Sequence, residues 1–205
     1  MKIRVFDGTL DLINISTSSN AEALDDFSLS LTESTDVSEK IIGNHSYTAN
    51  GLTTSENDSK SVLKFGNTGL SDYSISVDVS VLAGKGGILL RTKNFSHTSK
   101  FNLTSNQMQG YLVCVDQNIV SLVKYNYNLK TLDTKVALDE NGKRAFLNGA
   151  KNTLTAEIRK NIINVYVNGE LLISYTDTDA FMDGYWGLYS DSGKLTFSNL
   201  QYKNL

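Results

Sequence analysis

The chain has 205 residues, of which 40% are hydrophobic and 20% charged, and its formal net charge is −3. That length suits one all-β domain over residues 1–205, and the composition suits a soluble globular protein. No basic cluster is present to neutralise phosphates, which argues against nucleic acid as a partner, and no apolar run approaches the roughly 20 residues a membrane-spanning helix needs.

In chain order, the first seventy residues carry the weakest pattern. Lys2 to Phe6 and Leu10 to Ile15 read as short strands, and the first 20 residues as a linker or edge strand. Nothing at the start has the shape of a signal peptide, so Met1 reads as the edge of an excised module. Ala21 to Leu31 reads as a helical turn leading into the alternating run Phe27-Ser28-Leu29-Ser30-Leu31. Ile41 to Lys60 is rich in Asn, Ser and Thr and predicts loops around one or two short strands. Ser61 to Phe65 predicts a strand stopped by Gly66-Asn67.

From Asp72 the pattern sharpens. Tyr73, Ile75, Val77, Val79 and Val81 alternate with polar residues, as in a half-buried antiparallel strand. Gly84 to Gly87 is expected to turn the chain into a second strand, Gly86-Gly87-Ile88-Leu89-Leu90-Arg91. Thr92 to Gln109 is a long polar insertion, and connections of that length are uncommon without a function. Tyr111 to Asp116 and Ile119 to Tyr125 predict a hairpin across Gln117-Asn118, and Leu129 to Ala137 extends the meander. Asp139 to Gly149 reads as a loop. Leu154 to Ile158 and Ile163 to Val167 alternate, and Asn168-Gly169 is a favoured two-residue hairpin turn. Glu170 to Tyr175 returns, Tyr185 to Tyr189 is a further strand, and Ser192-Gly193 turns into Leu195 to Leu200. Many short strands with regular turns predict an antiparallel two-sheet β-sandwich or barrel. The alternation assigns Ile75, Val77, Val79, Ile88, Leu90, Ile163, Val165, Trp186, Leu188 and Phe197 to its core.

Arg91 stands out as a guanidinium closing an aliphatic strand. An unpaired buried charge is costly, so it needs water, a carboxylate or a ligand. It is a surface arginine at a strand end, a polar anchor on an exposed sheet face, or the structural partner of a carboxylate such as Asp116. Ten tyrosines are present, and Tyr111, Tyr125, Tyr127, Tyr166 and Tyr189 lie late in strands or near turns. Such a set suits a sugar: a guanidinium donates to adjacent hydroxyls, a carboxylate accepts from them, and rings cover the C–H face. Tyrosine is also enriched in strands for packing alone. Catalysis has weaker support. No compact Glu-x-Asp-x-x-Glu pattern occurs, and Glu157 and Glu170 fall on different strands. His45 and His97 are too isolated for a zinc site, and Cys114, the only cysteine, sits mid-strand as a small core residue.

The order of features in Gly86 to Arg91, Gly110 to Asp116, Leu154 to Ile158, Ile163 to Leu172, Gly184 to Tyr189 and Leu195 to Leu200 resembles the concanavalin-A-like (laminin-G-like) sandwich modules attached to bacterial glycoside hydrolases. Among them it is most similar to carbohydrate-binding module family 66, the fructan-binding module of levanases. The resemblance covers Asp72 to Gln201 and implies a jelly-roll sandwich. It carries a ligand-binding role to Arg91, then to Tyr111 and Asp116, with Tyr125 beside them. In the last hairpin the levanase modules have tryptophan where this chain has Asp191, two residues after Tyr189, and these two complete the ligand-binding candidates. Related sandwiches hold a structural calcium, for which Asp25, Asp26 and Asn199 are the candidates here; no other cofactor is expected.

The resulting expectation is a non-catalytic module that binds fructan or another plant or microbial glycan. It would be tethered to a secreted glycoside hydrolase, with no membrane or nucleic-acid partner, at an extracellular or cell-surface location. Two alternatives stand beside it: a sandwich-fold glycoside hydrolase, and an adhesive sandwich whose partner is protein. The insertion from Thr92 to Gln109 is expected to border the ligand site.

Overall fold

Period-two alternation gives thirteen strands and no helix among the described residues of this computed structural model, which are 26–33, 38–55, 60–66, 70–93, 108–127, 129–137 and 149–205. The strands are β1 (Phe27–Leu29), β2 (Ser38–Ile42), β3 (His45–Thr48), β4 (Gly51–Thr54), β5 (Lys60–Phe65), β6 (Tyr73–Lys93), β7 (Gln109–Asp116), β8 (Ile119–Asn126), β9 (Leu129–Val136), β10 (Asn152–Arg159), β11 (Ile162–Val167), β12 (Glu170–Thr176) and β13 (Tyr185–Asn204). Every pairing is antiparallel. The expected strands at Lys2 to Phe6 and Leu10 to Ile15 lie outside the described residues, as do most of the Thr92 to Gln109 insertion and the Asp139 to Gly149 loop.

Two long strands, β6 and β13, run through both layers and pair with each other along most of their length. In the first layer, residues 73–79 of β6 pair with β10, which leads to β11 and β12. On the other side, the C-terminal half of β13 pairs with β1 and β4, and β4 with β3. In the second layer, residues 85–93 of β6 pair with β7, then β8 and β9. The N-terminal half of β13 pairs with β5, and β5 with β2.

The turns expected at Gly84 to Gly87 and at Ser192-Gly193 are therefore bends within continuous strands. Gly84 adopts φ +69° and Ser192 φ +50°. The register between the two strands slips between Asp191 and Leu195. A Cβ at Gly84 would lie 2.3 Å from the Ser192 carbonyl oxygen, so only glycine fits where the strands bend together. Bulges of this kind let one strand leave a sheet and enter its partner.

The core lies between the layers. All ten residues assigned to it by alternation are buried there. Trp186 stacks on Phe65 with ring centroids 4.4 Å apart and planes 4° from parallel. Burial of each large aliphatic or aromatic side chain contributes about 1.5–3 kcal/mol. The two layers differ on their outer faces. That of the first layer is polar, carrying Ser76, Asp78, Ser80, Thr153 and Thr155. That of the second carries a smaller apolar cluster that includes Leu89, Leu112, Cys114, Val123, Tyr125 and Tyr189. A sheet apolar on both faces explains why β7 and β8 read as continuous hydrophobic runs.

Candidate functional site

The registers of the second layer set its outer face out in rows. One row runs Lys60, Asp191, Lys85, Asp116 across β5, β13, β6 and β7, so the charge alternates at each strand. The next row runs Val62, Tyr189, Gly87, Cys114, Ser121, Lys135 out to β9. The third ends in Leu112, Val123 and Asp133. Opposite charges directly across a ladder attract, which helps fix this register. Gly87 puts no side chain into the second row. A Cβ there would lie 2.0 Å from the Val113 carbonyl oxygen.

These rows enclose a cleft of about 210 Å³, lined by Lys60, Lys85, Asp116, Asp133, Lys135 and Asp191 around a floor of Leu112, Cys114, Val123, Tyr125 and Tyr189. Lys85 stands 3.7 Å from Asp191, and Lys135 3.5 Å from Asp133. The Asp116 side chain is exposed and makes no hydrogen bond or ion pair among the described residues. Burial pushes the Tyr189 and Tyr125 phenols above their ordinary value, and the Cys114 thiol up to about 12. All three therefore hold their protons at neutral pH. The floor offers protonated phenols, and the rim offers three ammonium donors and three carboxylate acceptors of balanced charge. Such an arrangement recognises a neutral, hydroxyl-rich molecule by paired donation and acceptance.

Four of the six residues expected to bind ligand line this cleft: Asp116, Tyr125, Tyr189 and Asp191. Arg91 and Tyr111 do not. Arg91 is neither at a surface strand end nor on an exposed face but fully buried, as a structural partner of a carboxylate would be, and that carboxylate is Asp72 rather than Asp116. It sits at an irregularity of β6 with φ +43°, which breaks the alternation and turns the side chain toward the end of the core. Its Nε donates to Ser71 O at 2.8 Å, and its Nη1 to Lys160 O at 2.5 Å and Phe181 O at 2.6 Å. Its Nη2 reaches Asp72 Oδ1 at 3.1 Å. One guanidinium thus ties the segment before β6, the β10–β11 turn and the β12–β13 connection. A Cβ at Gly184 would strike the Arg91 carbonyl carbon at 2.5 Å, so this packing also selects glycine.

Tyr111 belongs to a neighbouring buried group. Its hydroxyl donates to Asp177 Oδ2 at 2.7 Å and accepts from the Phe181 amide at 3.1 Å. Lys124, opposite Tyr111 on β8, places Nζ 2.7 Å from Asp177 Oδ2 and 4.7 Å from the centre of the Phe181 ring. It also donates to the Asp179 carbonyl. Burial alone would raise the Asp177 carboxyl, but its bonds from Lys124, Tyr111 and the Asp179 amide together outweigh burial and hold it below its ordinary value.

The calcium candidates are not assembled. Asp25 lies outside the described residues. Asp26 caps the Asn204 amide at 2.8 Å, beyond the Phe27–Tyr202 end of β1, whereas Asn199 lies beyond the Leu29–Leu200 end. The Asn199 amide donates to Asp78 instead, at 2.7 Å.

Sequence reasoning did not single out Lys60, Lys85, Asp133 and Lys135 for the cleft, or Lys124 and Asp177 for the buried group. A signal existed for one pair: Asp133 and Lys135 alternate with Leu132, Thr134 and Val136, so they share a face. Nothing local marks Lys124, which stands between Val123 and Tyr125 in the strand.

The profile of the 3-keto-alpha-glucoside-1,2-lyase-like domain family matches residues 6–204. Among curated protein sequences, none matches this chain. Among solved structures, the chain is similar to the carbohydrate-binding module CBM66 from Bacillus subtilis, at 20% identity and a TM-score of 0.65, over 82% of this chain and 96% of that one. It is also similar to the exoplasmic/lumenal domain of VIP36 in a Ca2+/Man3GlcNAc-bound form, at 15% identity and a TM-score of 0.60, over 87% and 88%. A third match is a putative glycosyl hydrolase from Parabacteroides distasonis, at 13% identity and a TM-score of 0.53, over 78% and 83%. The fold is the concanavalin-A-like sandwich.

Proposed function

The chain belongs to the 3-keto-alpha-glucoside-1,2-lyase-like domain family, and from that premise we propose that it is a carbohydrate-binding domain without catalysis of its own, with the cleft on the second layer as its binding site. The observation that carries this reading is the row Lys60, Asp191, Lys85, Asp116, which offers donors and acceptors alternately beside a floor of protonated phenols. Sugar hydroxyls both donate and accept, so a row of alternating sign meets successive hydroxyls without a net charge on the ligand. The similarity to the carbohydrate-binding module CBM66 and to the Man3GlcNAc-bound domain of VIP36 supports such a ligand. Fructans are the first ligands to test, since the resemblance to the levanase modules implies them. In this reading the domain acts outside the cell and holds an attached glycoside hydrolase near its substrate, raising the effective concentration of sites.

A second reading is enzymatic. It is favoured by the family's description as lyase-like and by three carboxylates around one cleft. Elimination next to a ketone needs a base, and the phenols and thiol of the floor are protonated. The base would have to be Asp116, the carboxylate without an ion pair.

Calorimetry against levan, inulin and a panel of plant and microbial glycans tests the first reading. Asp116→Ala and Asp191→Ala should each remove charge-assisted bonds of about 1.5–3 kcal/mol, roughly 10- to 150-fold in affinity, with little change in melting temperature. Affinity unchanged in both variants would remove the cleft as the site. Incubation with 3-keto-glucosides, followed by nuclear magnetic resonance of the products, tests the second. Turnover abolished by Asp116→Asn would establish an enzyme.

A further inference from the structure

The outer face of the first layer holds a groove that the reading above does not use. It crosses four neighbouring strands, β1, β13, β6 and β10, encloses about 410 Å³ and is lined by Ser28, Leu29, Ser30, Ser76, Asp78, Thr153, Asn199 and Gln201. Regular alternation would make this face a flat, polar surface. The groove coincides with an irregularity of β13. Ser198 pairs with Asp78 and Gln201 with Ser76, so β13 carries one more residue than β6 over this stretch. Asn199 takes φ +50° within it and turns its amide onto Asp78. Bulges that re-aim a side chain are concentrated beside functional sites.

At the bottom of the groove is a carboxylate that is mostly shielded from water. Asp78 is 8% exposed, although its strand face points to solvent. Oδ1 accepts from the Thr153 hydroxyl at 2.6 Å. Oδ2 accepts from Asn199 Nδ2 at 2.7 Å and from Lys151 Nζ at 3.1 Å. A carboxylate has about four acceptor directions, so one remains on Oδ1. The charge is balanced locally by Lys151. Around it stand fixed hydroxyls, with Ser76 and Thr155 joined at 2.8 Å, and the Gln201 amide is exposed on the rim. Leu29 is the only apolar residue in the lining, and its side chain packs inward against the core.

From this geometry we propose that the groove is a second binding site, for a neutral oligosaccharide, on the face opposite the cleft. Its lining consists of small hydroxyls, two amides and one neutralised acid, which suits an uncharged polyhydroxylated chain and offers nothing to an anion or an apolar ligand. Its course across four strands suits an extended chain over a single ring. With a site on each face, the domain would bridge two glycan chains. The proposal does not depend on the cleft being a site.

Amide shift mapping by nuclear magnetic resonance tests it. The probes are tetrasaccharides from levan, inulin, cellulose and starch, each titrated to millimolar concentration into the whole chain. At least one should move the amides of Ser76, Asp78, Thr153 and Asn199 along a saturable curve. Gln201→Arg, on an exposed position that leaves the strand pairing intact, should weaken that curve about tenfold or more. Asp191→Ala in the cleft should leave it unchanged. Groove shifts that survive Gln201→Arg, or no groove shift with any of the four, would overturn the proposal. Saturation of the groove without the cleft would uphold it and count against the cleft.

Discussion

The sandwich holds two clusters built from the same residue types, and they behave oppositely. At the end of the core, Arg91, Tyr111 and Lys124 meet Asp72, Asp177 and the carbonyls of Ser71, Lys160, Asp179 and Phe181. On the outer face of the second layer, Lys85, Lys135, Tyr125 and Tyr189 meet Asp116, Asp133 and Asp191. In the first, each guanidinium nitrogen already has a protein acceptor, and the cations are shielded from water. In the second, the pairs are longer and more open, and Asp116 has no ion-pair partner. Charged and aromatic residues in one place therefore say little by themselves. Spare hydrogen-bonding capacity and access decide between holding the fold together and holding a ligand.

The largest effect should come from the core-end cluster. Arg91→Ala leaves three carbonyls without their donor and Asp72 without its cation, with only the Lys160 amide still donating to it. The loss should be about 3–5 kcal/mol. For a chain of this size each kcal/mol shifts the melting temperature by roughly 2–4 °C, so a fall of about 6–20 °C is expected in a thermal melt. Arg91→Lys should recover little, because one ammonium cannot meet four acceptors spread over a planar fork. An unchanged melt combined with lost glycan affinity would move Arg91 to the other side of the comparison. Tyr111→Phe comes next. It removes the bond to Asp177 and the acceptor of the Phe181 amide, a cost of about 1–3 kcal/mol measurable by urea denaturation.

The pH dependence sharpens the contrast further. The Asp177 carboxyl lies below its ordinary 3.8, as does that of Asp78, where burial opposes and the bonds from Thr153, Asn199 and Lys151 prevail. A folded-state value below the unfolded one means stability that is present above 3.8 and is lost as pH falls through the folded value. Melts taken downward from pH 5 should lose stability through this range, and Asp177→Asn, already destabilised, should lose less. An acid limb as steep in the variant as in the parent would show that Asp177 does not contribute to it. The smallest effect belongs to the cleft. Lys85 and Asp191 are partly exposed and 3.7 Å apart, so Lys85→Ala should change stability by only about 0–1 kcal/mol, and less in high salt. Its effect should appear in glycan calorimetry instead.

The layered all-β fold was legible because alternation is a local property. Tyr73 to Val81 and Leu154 to Ile158 declare their buried face within a few residues, and Asn168-Gly169 declares its turn. The bends at Gly84 and Ser192 were misread as hairpin turns. A glycine-rich stretch looks the same whether the chain reverses or passes into the other layer, and only the pairing partners tell the two apart. Arg91 was misread for a related reason. Period two puts it on the outer face, but a positive φ at that residue turns it inward, and its backbone there packs against Gly184. The cleft was half legible. Asp116 and Tyr125 came from one predicted hairpin, and Tyr189 and Asp191 from another, whereas Lys60 and Asp133 enter only through cross-strand registers that join distant parts of the chain.

The strand β13 has a consequence for how the protein is made. It is the centre of both layers, pairing with β1, β4, β5 and β6, yet it follows all four of them in the sequence. During translation β5, β6, β7, β8 and β10 emerge with their apolar faces exposed, and neither layer can close until residues 185–204 leave the ribosome. Until then the nascent chain must stay soluble, with the edge of β6 that β13 later covers left unpaired. A stop before residue 185 would open both layers at once, because β13 pairs within each of them.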